Sequence, residues 1–229
     1  MKFTEMTLRS GQLQETEVFY TETLGFALVE QGLEHFTIQA GATLITFRMA
    51  KEHESPFYHF ALNVPENKFA EAKQWLAARV PLIREQEEDE VFFTSWNAHA
   101  VYFKDPSGNI VEWIARHNLP SGINHDFTID DIMGVSEIGI IASEVIPFVH
   151  QLNEAGLANW KADDPGLTPV GDEYGLLIVV RDHREWYFSN QTPARFYPVE
   201  ITAAGFGRLS FPAQDEFWRI PLGAAETDS

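Results

Sequence analysis

The chain repeats one pattern of secondary structure at intervals of about 50 residues, and this repeat limits the folds that it can form. Residues 2–49 predict a strand, an amphipathic helix and three further strands, and residues 58–116 predict the same β-α-β-β-β order. A third unit starts at VSEIGIIA, and a fourth start at FYPVEITA is followed by no clear helix. Three units and a fragment are too few for a solenoid, so the pattern favours an α+β fold of paired βαβββ modules.

The repeat also suggests a domain organisation. Residues 1–118 are predicted to form a complete two-unit domain, and residues 119–132, which are rich in Pro, Gly, Asn and Asp, are predicted to be a linker. Residues 133–212 read as a second, degenerate module. Residues 213–229 read as a C-terminal tail that ends in the small and polar sequence LGAAETDS, for which we expect disorder.

Charge and composition exclude several classes of partner. The net charge is −18, from 16 basic and 34 acidic residues, and an acidic surface repels nucleic acid and anionic membranes. The chain has no cysteine, which excludes disulfides and thiolate metal sites. Met1 leads directly into KFTEMTLRS without an apolar signal segment, and no stretch is long and apolar enough to span a membrane. These features predict a cytoplasmic protein.

The segment VYFKDPSGNIVEWIAR (Val101 to Arg116) combines a clear hairpin with an unexpected carboxylate. Asp, Pro and Gly stand at the positions of a type I turn that favour them, and the flanking residues are β-branched or aromatic. The strand IVEWIA should be buried, yet Glu112 lies in its middle. A buried carboxylate costs several kcal/mol unless it is paired or bound. The sequence therefore predicts a partner for Glu112.

Strand alternation predicts which side chains share a face. Side chains point to opposite faces at successive positions, so Glu5, His59 and Glu112 fall on the less apolar faces of their strands. The wholly apolar faces should pack on the helices. The faces with these three residues would then line a shared cavity, where they could form a metal site.

Simpler roles are open for each of these residues. Glu112 could pair with Arg9, Arg48 or Arg116 instead of a metal ion. His59 could be a hydrogen-bonded core residue. His99, in the strand AHAVYF, could serve as an acid or base, or could simply be a buried polar residue.

The sequence resembles the vicinal oxygen chelate superfamily, which includes glyoxalase I, extradiol dioxygenases, and fosfomycin- and bleomycin-resistance proteins. The resemblance covers residues 1–117 and is carried by FYTETLGF, YHFALNV and YFKDPSGNIVEWIAR. It implies paired βαβββ units whose sheets curl around a central metal cavity. By position, His59 and Glu112 match a family His and Glu. Glu5 falls where members carry His or Gln, and Leu44 falls at the fourth ligand of glyoxalase I.

The resemblance therefore implies a site with three protein ligands, Glu5, His59 and Glu112. One divalent metal ion is expected there, with Fe(II) or Mn(II) favoured and Zn(II) or Ni(II) as alternatives. In the second half, Glu137 corresponds to Glu5, but Pro198 stands where the equivalent of His59 should be. That half is predicted to hold no metal of its own. It would cover the first module, shape the pocket or form a homodimer interface.

The function implied is a metal-dependent enzyme that acts on a small molecule with vicinal oxygens, with extradiol ring cleavage by dioxygen favoured. His99 or Tyr58 would relay protons as catalytic residues. A glyoxalase-type isomerase or lyase is one alternative. A metal-free binding protein is another, and its stacking surfaces would come from Phe3, Phe47, Phe57, Trp96 and Phe103.

Overall fold

The computed structural model describes residues 1–212 and 215–220, and it shows the predicted repeat. The first unit comprises β1 (Phe3–Ser10), α1 (Leu13–Val18) with a π-helical turn after it (Phe19–Thr23), β2 (Ala27–Gln31), β3 (His35–Ala40) and β4 (Thr43–Met49). The second comprises β5 (His59–Asn63), α2 (Phe69–Ala77), β6 (Val91–Phe93), β7 (Ala98–Lys104) and β8 (Ile110–Arg116). The fold is α+β, as predicted.

The two later units are shorter. The third comprises β9 (Gly134–Ala142), α3 (Val145–Glu154), β10 (Leu167–Asp172) and β11 (Gly175–Arg181). The fourth comprises β12 (Val199–Ala203), β13 (Gly207–Phe211) and β14 (Trp218–Ile220), and its described residues include no helix. The tail sequence LGAAETDS lies outside the described residues. None of the helices in the described part of the chain has the length and the apolar run needed to cross a lipid bilayer.

The pairing of the units differs from the expectation that residues 1–118 form a self-contained domain. Sheet one has the order β14-β13-β12-β1-β4-β3-β2 and joins the first unit to the fourth. Sheet two has the order β10-β11-β9-β5-β8-β7-β6 and joins the second unit to the third. The reason lies in the first strand of each unit. β1 and β5 pair in parallel with the last strand of their own units, and each offers its other edge to an antiparallel strand, β12 or β9.

The predicted linker is a packed connection between the second and third units. It contains a 3₁₀ turn over Ile129–Asp131, and Phe127 and Ile132 are buried in the main core. The backbone N–H of Phe127 donates a hydrogen bond of 3.0 Å to Glu71 on α2. Apolar side chains within this segment therefore anchor it to the protein despite its loop-like composition.

Two core clusters follow the predicted alternation of side chains. Phe60 and Leu62 of β5, with Val111 and Trp113 of β8, belong to the main cluster, which includes side chains of both sheets and of the helices. On the opposite face of sheet two, Ala61 belongs to a second and smaller cluster. The two faces of this sheet thus have different roles, because one closes the core and the other carries the site described below.

The hairpin between β7 and β8 has the predicted turn. The backbone N–H of Gly108 donates a 2.9 Å hydrogen bond to the carbonyl of Asp105, and Gly108 has φ of +83°, which favours glycine. The Asp105 carboxylate is buried and accepts hydrogen bonds from the Tyr20 hydroxyl at 2.9 Å and from the Asn109 side chain at 2.7 Å. The turn thereby sets the register of β8, and with it the position of Glu112.

Candidate metal centre

A single row of residues across sheet two places two carboxylates on one face. Tyr102 of β7 lies opposite Glu112 of β8, Glu112 lies opposite Ala61 of β5, and Ala61 lies opposite Glu137 of β9. Residues in register across a sheet point to the same face. The small side chain of Ala61 therefore separates two carboxylates that face the same space.

His59 completes the group from the same strand as Ala61. It lies two residues earlier and so shares the face of Ala61. Its Nε2 is 3.5 Å from Oε2 of Glu112, and its Nδ1 is 3.2 Å from the carbonyl oxygen of Ile110. A proton on Nδ1 would donate to this carbonyl and leave the Nε2 lone pair directed at the cluster, as is usual for a histidine that binds metal.

The three side chains are close and almost fully buried. One potential ligand atom from each of His59, Glu112 and Glu137 lies within 4.8 Å of the others. The exposed fractions are 7% for His59, 2% for Glu112 and 4% for Glu137. Among the described residues, no other group of three His, Asp or Glu side chains has this geometry.

The electrostatics of the cluster suit a cation. Burial raises the pKa of the Glu112 carboxyl, and the nearby Glu137 raises it further. Burial also raises the pKa of Glu137, although the guanidinium of Arg116, which donates a hydrogen bond to Glu137, opposes this shift. Burial lowers the pKa of His59 to about 4, so its imidazole is neutral near pH 7. Two carboxylates face one guanidinium, and a divalent cation would offset the remaining negative charge.

Glu5, predicted as a ligand, lies in sheet one and outside this cluster. Its carboxylate is exposed in a groove of that sheet and accepts a 2.7 Å hydrogen bond from the Thr202 hydroxyl. The register shows why the sequence suggested it. Glu5 lies opposite Leu44 on β4, just as His59 lies opposite Ile110 on β8. Glu5 is therefore the counterpart of His59 in the other sheet, and it cannot share a site with it.

Glu137 takes the place that the sequence analysis gave to Glu5. It lies in VSEIGIIA, a buried apolar strand like IVEWIA, so the argument that a buried carboxylate needs a partner applied to it as well. The second half of the chain was expected to hold no metal of its own. That stays a prediction, and the second half contributes one residue, Glu137, to a cluster whose other members come from the first half.

The two predicted catalytic residues lie outside the cluster. The hydroxyl of Tyr58 donates a 3.0 Å hydrogen bond to the carbonyl of Pro198 and accepts one of 3.2 Å from the N–H of Arg9. Tyr58 precedes His59 and points to the other side of the sheet. Tyr58 thus connects the two sheets.

His99 also faces away from the cluster. It lies on the face of β7 opposite to Tyr102, and its Nδ1 is 2.7 Å from Nε2 of His117. Sequence reasoning missed Tyr102, which lies in register with Glu112 on the neighbouring strand and lines the same cavity. The alternation of AHAVYF, which puts Tyr102 and His99 on opposite faces, was the available signal.

A cavity of about 460 Å³ opens above the cluster. The cavity includes His59, Glu112 and Glu137 in its lining, and five aromatic residues contribute to its walls: Phe93, Trp96, Tyr102, Trp186 and Tyr187. Of the aromatic residues expected to provide stacking surfaces, Trp96 is in this lining, whereas Phe3, Phe47 and Phe103 are buried in the core.

Trp186 covers His59 because β9 has a glycine beneath it. The ring centroids of Trp186 and His59 are 4.9 Å apart. A Cβ atom at Gly139 would lie 2.4 Å from the Trp186 ring, which is too close for any side chain. Gly139 therefore allows the indole to lie against the imidazole and to shield it from water.

The fold and this cluster together define an α+β protein of paired βαβββ units with a buried acidic site on one curled sheet. Residues 2–113 match the model of the Glyoxalase/Bleomycin resistance protein/Dioxygenase superfamily. The resemblance seen in the sequence is thus confirmed.

Solved structures show the same fold at low sequence identity. A putative dioxygenase from Bacillus subtilis is 18% identical, with a TM-score of 0.59, over 94% of this chain and 85% of its own. Glyoxalase I from Zea mays is 16% identical, with a TM-score of 0.53, over 79% of this chain and 66% of its own. No curated protein sequence matches this chain. At such identities the likeness concerns the fold.

Proposed function

We propose that this protein is a metal-dependent enzyme that acts on a small molecule through two neighbouring oxygens of its substrate. The observation that carries this proposal is the buried group of His59, Glu112 and Glu137 at the base of the aromatic cavity. His59, Glu112 and Glu137 would hold a divalent ion, and the ion would act as a Lewis acid on the substrate oxygens. One imidazole and two carboxylates favour Fe(II) or Mn(II), with Zn(II) or Ni(II) as alternatives.

The protein's own residues orient the ligands. Arg116 holds Glu137 in place by an ion pair, and the carbonyl of Ile110 orients the ring of His59. Tyr102 lies beside Glu112 on the neighbouring strand and lines the same cavity. Such contacts behind the ligands fix their geometry and usually contribute to metal affinity.

Within this class, extradiol-type ring cleavage by dioxygen is the favoured reaction. The cavity walls are aromatic on several sides, which suits a flat ring such as a catechol.

A glyoxalase-type isomerase or lyase is the second candidate, and the identity of the third residue favours it. Glu137 stands where a second imidazole would complete the two-histidine, one-carboxylate set that is typical of Fe(II) oxygenases. A set with two carboxylates can instead serve reactions that only polarise the substrate and do not use dioxygen.

The test begins with elemental analysis of protein purified without chelators. The protein is then loaded separately with Fe(II), Mn(II), Zn(II) and Ni(II), and assayed for oxygen uptake with a panel of catechols and for isomerisation of α-keto hemithioacetals. Metal-dependent oxygen uptake supports ring cleavage, and metal-dependent isomerisation without it supports the second candidate. Stoichiometric binding of these compounds without any bound metal would overturn the proposal in favour of a binding protein.

A further inference from the structure

Two basic side chains line the cavity of a strongly acidic protein. The net charge is −18, yet Arg184 and Lys161 both contribute to the walls that also include Glu112, Glu137 and Asp164. The presence of the two basic side chains suggests that the occupant carries a negative charge of its own.

Arg184 is the better placed of the two. It follows β11 and is half-buried, and its backbone is held at both ends by hydrogen bonds of 3.1 Å to Arg181 and 2.8 Å from Ala194. It lines the same cavity as His59, Glu112 and Glu137, which places the side chain on the side of the cluster. The backbone thus presents this side chain at a defined place near the candidate ligands.

The guanidinium has unused donors. Its Nη1 donates a 3.2 Å hydrogen bond to the carbonyl of Glu185, but an arginine has five N–H groups. In the described part of the chain no carboxylate forms an ion pair with Arg184, and Asp164 acts on it only at longer range. The Asp164 carboxylate accepts hydrogen bonds of 2.7 and 3.1 Å from the N–H groups of Gly166 and Leu167, which hold it in its own loop.

Lys161 lies at the mouth and is exposed. Its ammonium group is 4.1 Å from the centroid of the Trp160 ring and donates a 3.2 Å hydrogen bond to the carbonyl of Ser95. These contacts fix the charge at the rim without neutralising it. Because the site is more exposed than that of Arg184, we expect Lys161 to guide an anion toward the cavity and to bind it weakly.

We propose that the cavity selects planar chelating molecules that bear a carboxylate, and that Arg184 is the residue that recognises this group. The inference deepens the proposed function, since the vicinal oxygens would face the cluster while the carboxylate faces Arg184. A guanidinium matches a carboxylate with two parallel hydrogen bonds, and a half-buried pair of this kind is stronger than one in open solvent. Arg184 would also offset the repulsion between an anionic substrate and the two buried carboxylates.

The test compares two ligands that differ in this one group, 3,4-dihydroxybenzoate and 4-methylcatechol. Their affinities are measured by calorimetry with protein loaded with Zn(II), which is redox-inert, so that no turnover interferes. We expect wild type to bind the benzoate at least about tenfold more tightly, as a charge-assisted bidentate pair predicts. Arg184→Gln should remove this preference and leave the affinity for 4-methylcatechol within about twofold. Arg184→Lys keeps the positive charge but cannot form two parallel hydrogen bonds with a carboxylate, so it should retain only part of the preference.

Arg181→Gln is the matched control. Arg181 ends β11 only three residues from Arg184, is exposed, and is not part of the cavity lining, so this variant loses the same charge without changing the site. Both affinities should stay at the wild-type values.

Three results would overturn the inference. They are equal affinities for the two ligands in wild type, an unchanged preference in Arg184→Gln, and no binding of either ligand to the metal-loaded protein. Metal content, measured on the same samples, separates this inference from the proposed function. A preference that depends on Arg184 in a protein that takes up no metal would retain the inference and reject the metal-dependent enzyme. A metal-loaded protein that binds both catechols equally would reject the inference and retain the metal-dependent enzyme.

Discussion

Glu112 and Glu137 flank Ala61 from opposite sides, each in register with it on a neighbouring strand of sheet two. Their carboxylates therefore share one face and one buried space with His59, although Glu137 belongs to the third unit of the chain and Glu112 to the second. Two carboxylates with oxygen atoms within 4.8 Å of each other repel each other in the absence of a cation. This relationship motivates the first two predictions.

Glu137, and not Glu5, should be required for metal binding. We expect Glu137→Gln to weaken the affinity for the ion by at least about a hundredfold, because it replaces one of the three proposed ligands, a carboxylate, with a neutral amide. Glu5→Gln is the matched control, since it makes the same chemical change in the equivalent part of sheet one and should leave the affinity unchanged. Metal titration followed by elemental analysis measures both. Loss of the ion in Glu5→Gln with retention in Glu137→Gln would reverse the assignment.

Removal of the metal should destabilise wild type and have little further effect on Glu112→Gln. An ion that binds only the folded state stabilises it by about 4 kcal/mol at a thousandfold excess over Kd. Without the ion, Glu112→Gln should be at least as stable as wild type, because the substitution removes a buried charge that faces Glu137. Thermal melts of both proteins, with and without chelator, measure these differences. Equal shifts on chelation in the two proteins would show that Glu112 does not hold the ion.

Tyr102 and Tyr58 should behave differently when each loses its hydroxyl. Tyr102→Phe removes the hydroxyl of the residue in register with Glu112, so we expect metal affinity to fall by about 10- to 100-fold. Tyr58→Phe leaves the Arg9 N–H and the Pro198 carbonyl without their partner, so it should lower the free energy of unfolding by about 1–3 kcal/mol and leave the metal affinity as it is. Titration with metal and denaturant unfolding separate the two roles. An unaltered metal affinity in Tyr102→Phe would exclude a supporting role for its hydroxyl.

Asp105 should make stability depend on pH in a defined window. Burial raises its pKa to about 6 in the folded protein, from an ordinary value of 3.8. A folded pKa above the unfolded one means that the protonated carboxyl stabilises the fold. This contribution is complete below about pH 4 and is lost as the pH rises through 6, and over the window it amounts to about 3 kcal/mol.

The Asp105→Asn variant isolates this effect. The difference in the free energy of unfolding between wild type and Asp105→Asn, measured from pH 4 to pH 7, should move in favour of the variant as the pH rises. Asn lacks one acceptor for the hydrogen bonds from Tyr20 and Asn109, which shifts the stability of the variant by the same amount at every pH. Only the titration of Asp105 makes the difference in stability depend on pH. A difference that stays constant over this range would contradict the raised pKa.

Much of the site follows from local sequence patterns. The period of two along YHFALNV and IVEWIAR put His59 and Glu112 on the same kind of face, opposite to Phe60 and Trp113, and the structure confirms this division. The DPSGN turn was predicted with its geometry, because Asp, Pro and Gly each favour one position of the turn. That a carboxylate within an apolar strand needs a partner followed from the cost of burying charge.

Only the tertiary structure decided which strands meet. β1 and β5 begin equivalent units, and each has one edge free for an antiparallel partner, so the local pattern of either is compatible with β9 or with β12. The choice depends on how whole units pack over long distances in the chain, and strand alternation carries no information about it. Because β5 pairs with β9, Glu137 joins His59 and Glu112, while Glu5 lies in the other sheet beside Thr202. The sequence thus determined the faces, the turn and the need for a buried partner, and the pairing of the sheets determined which third residue would complete the group.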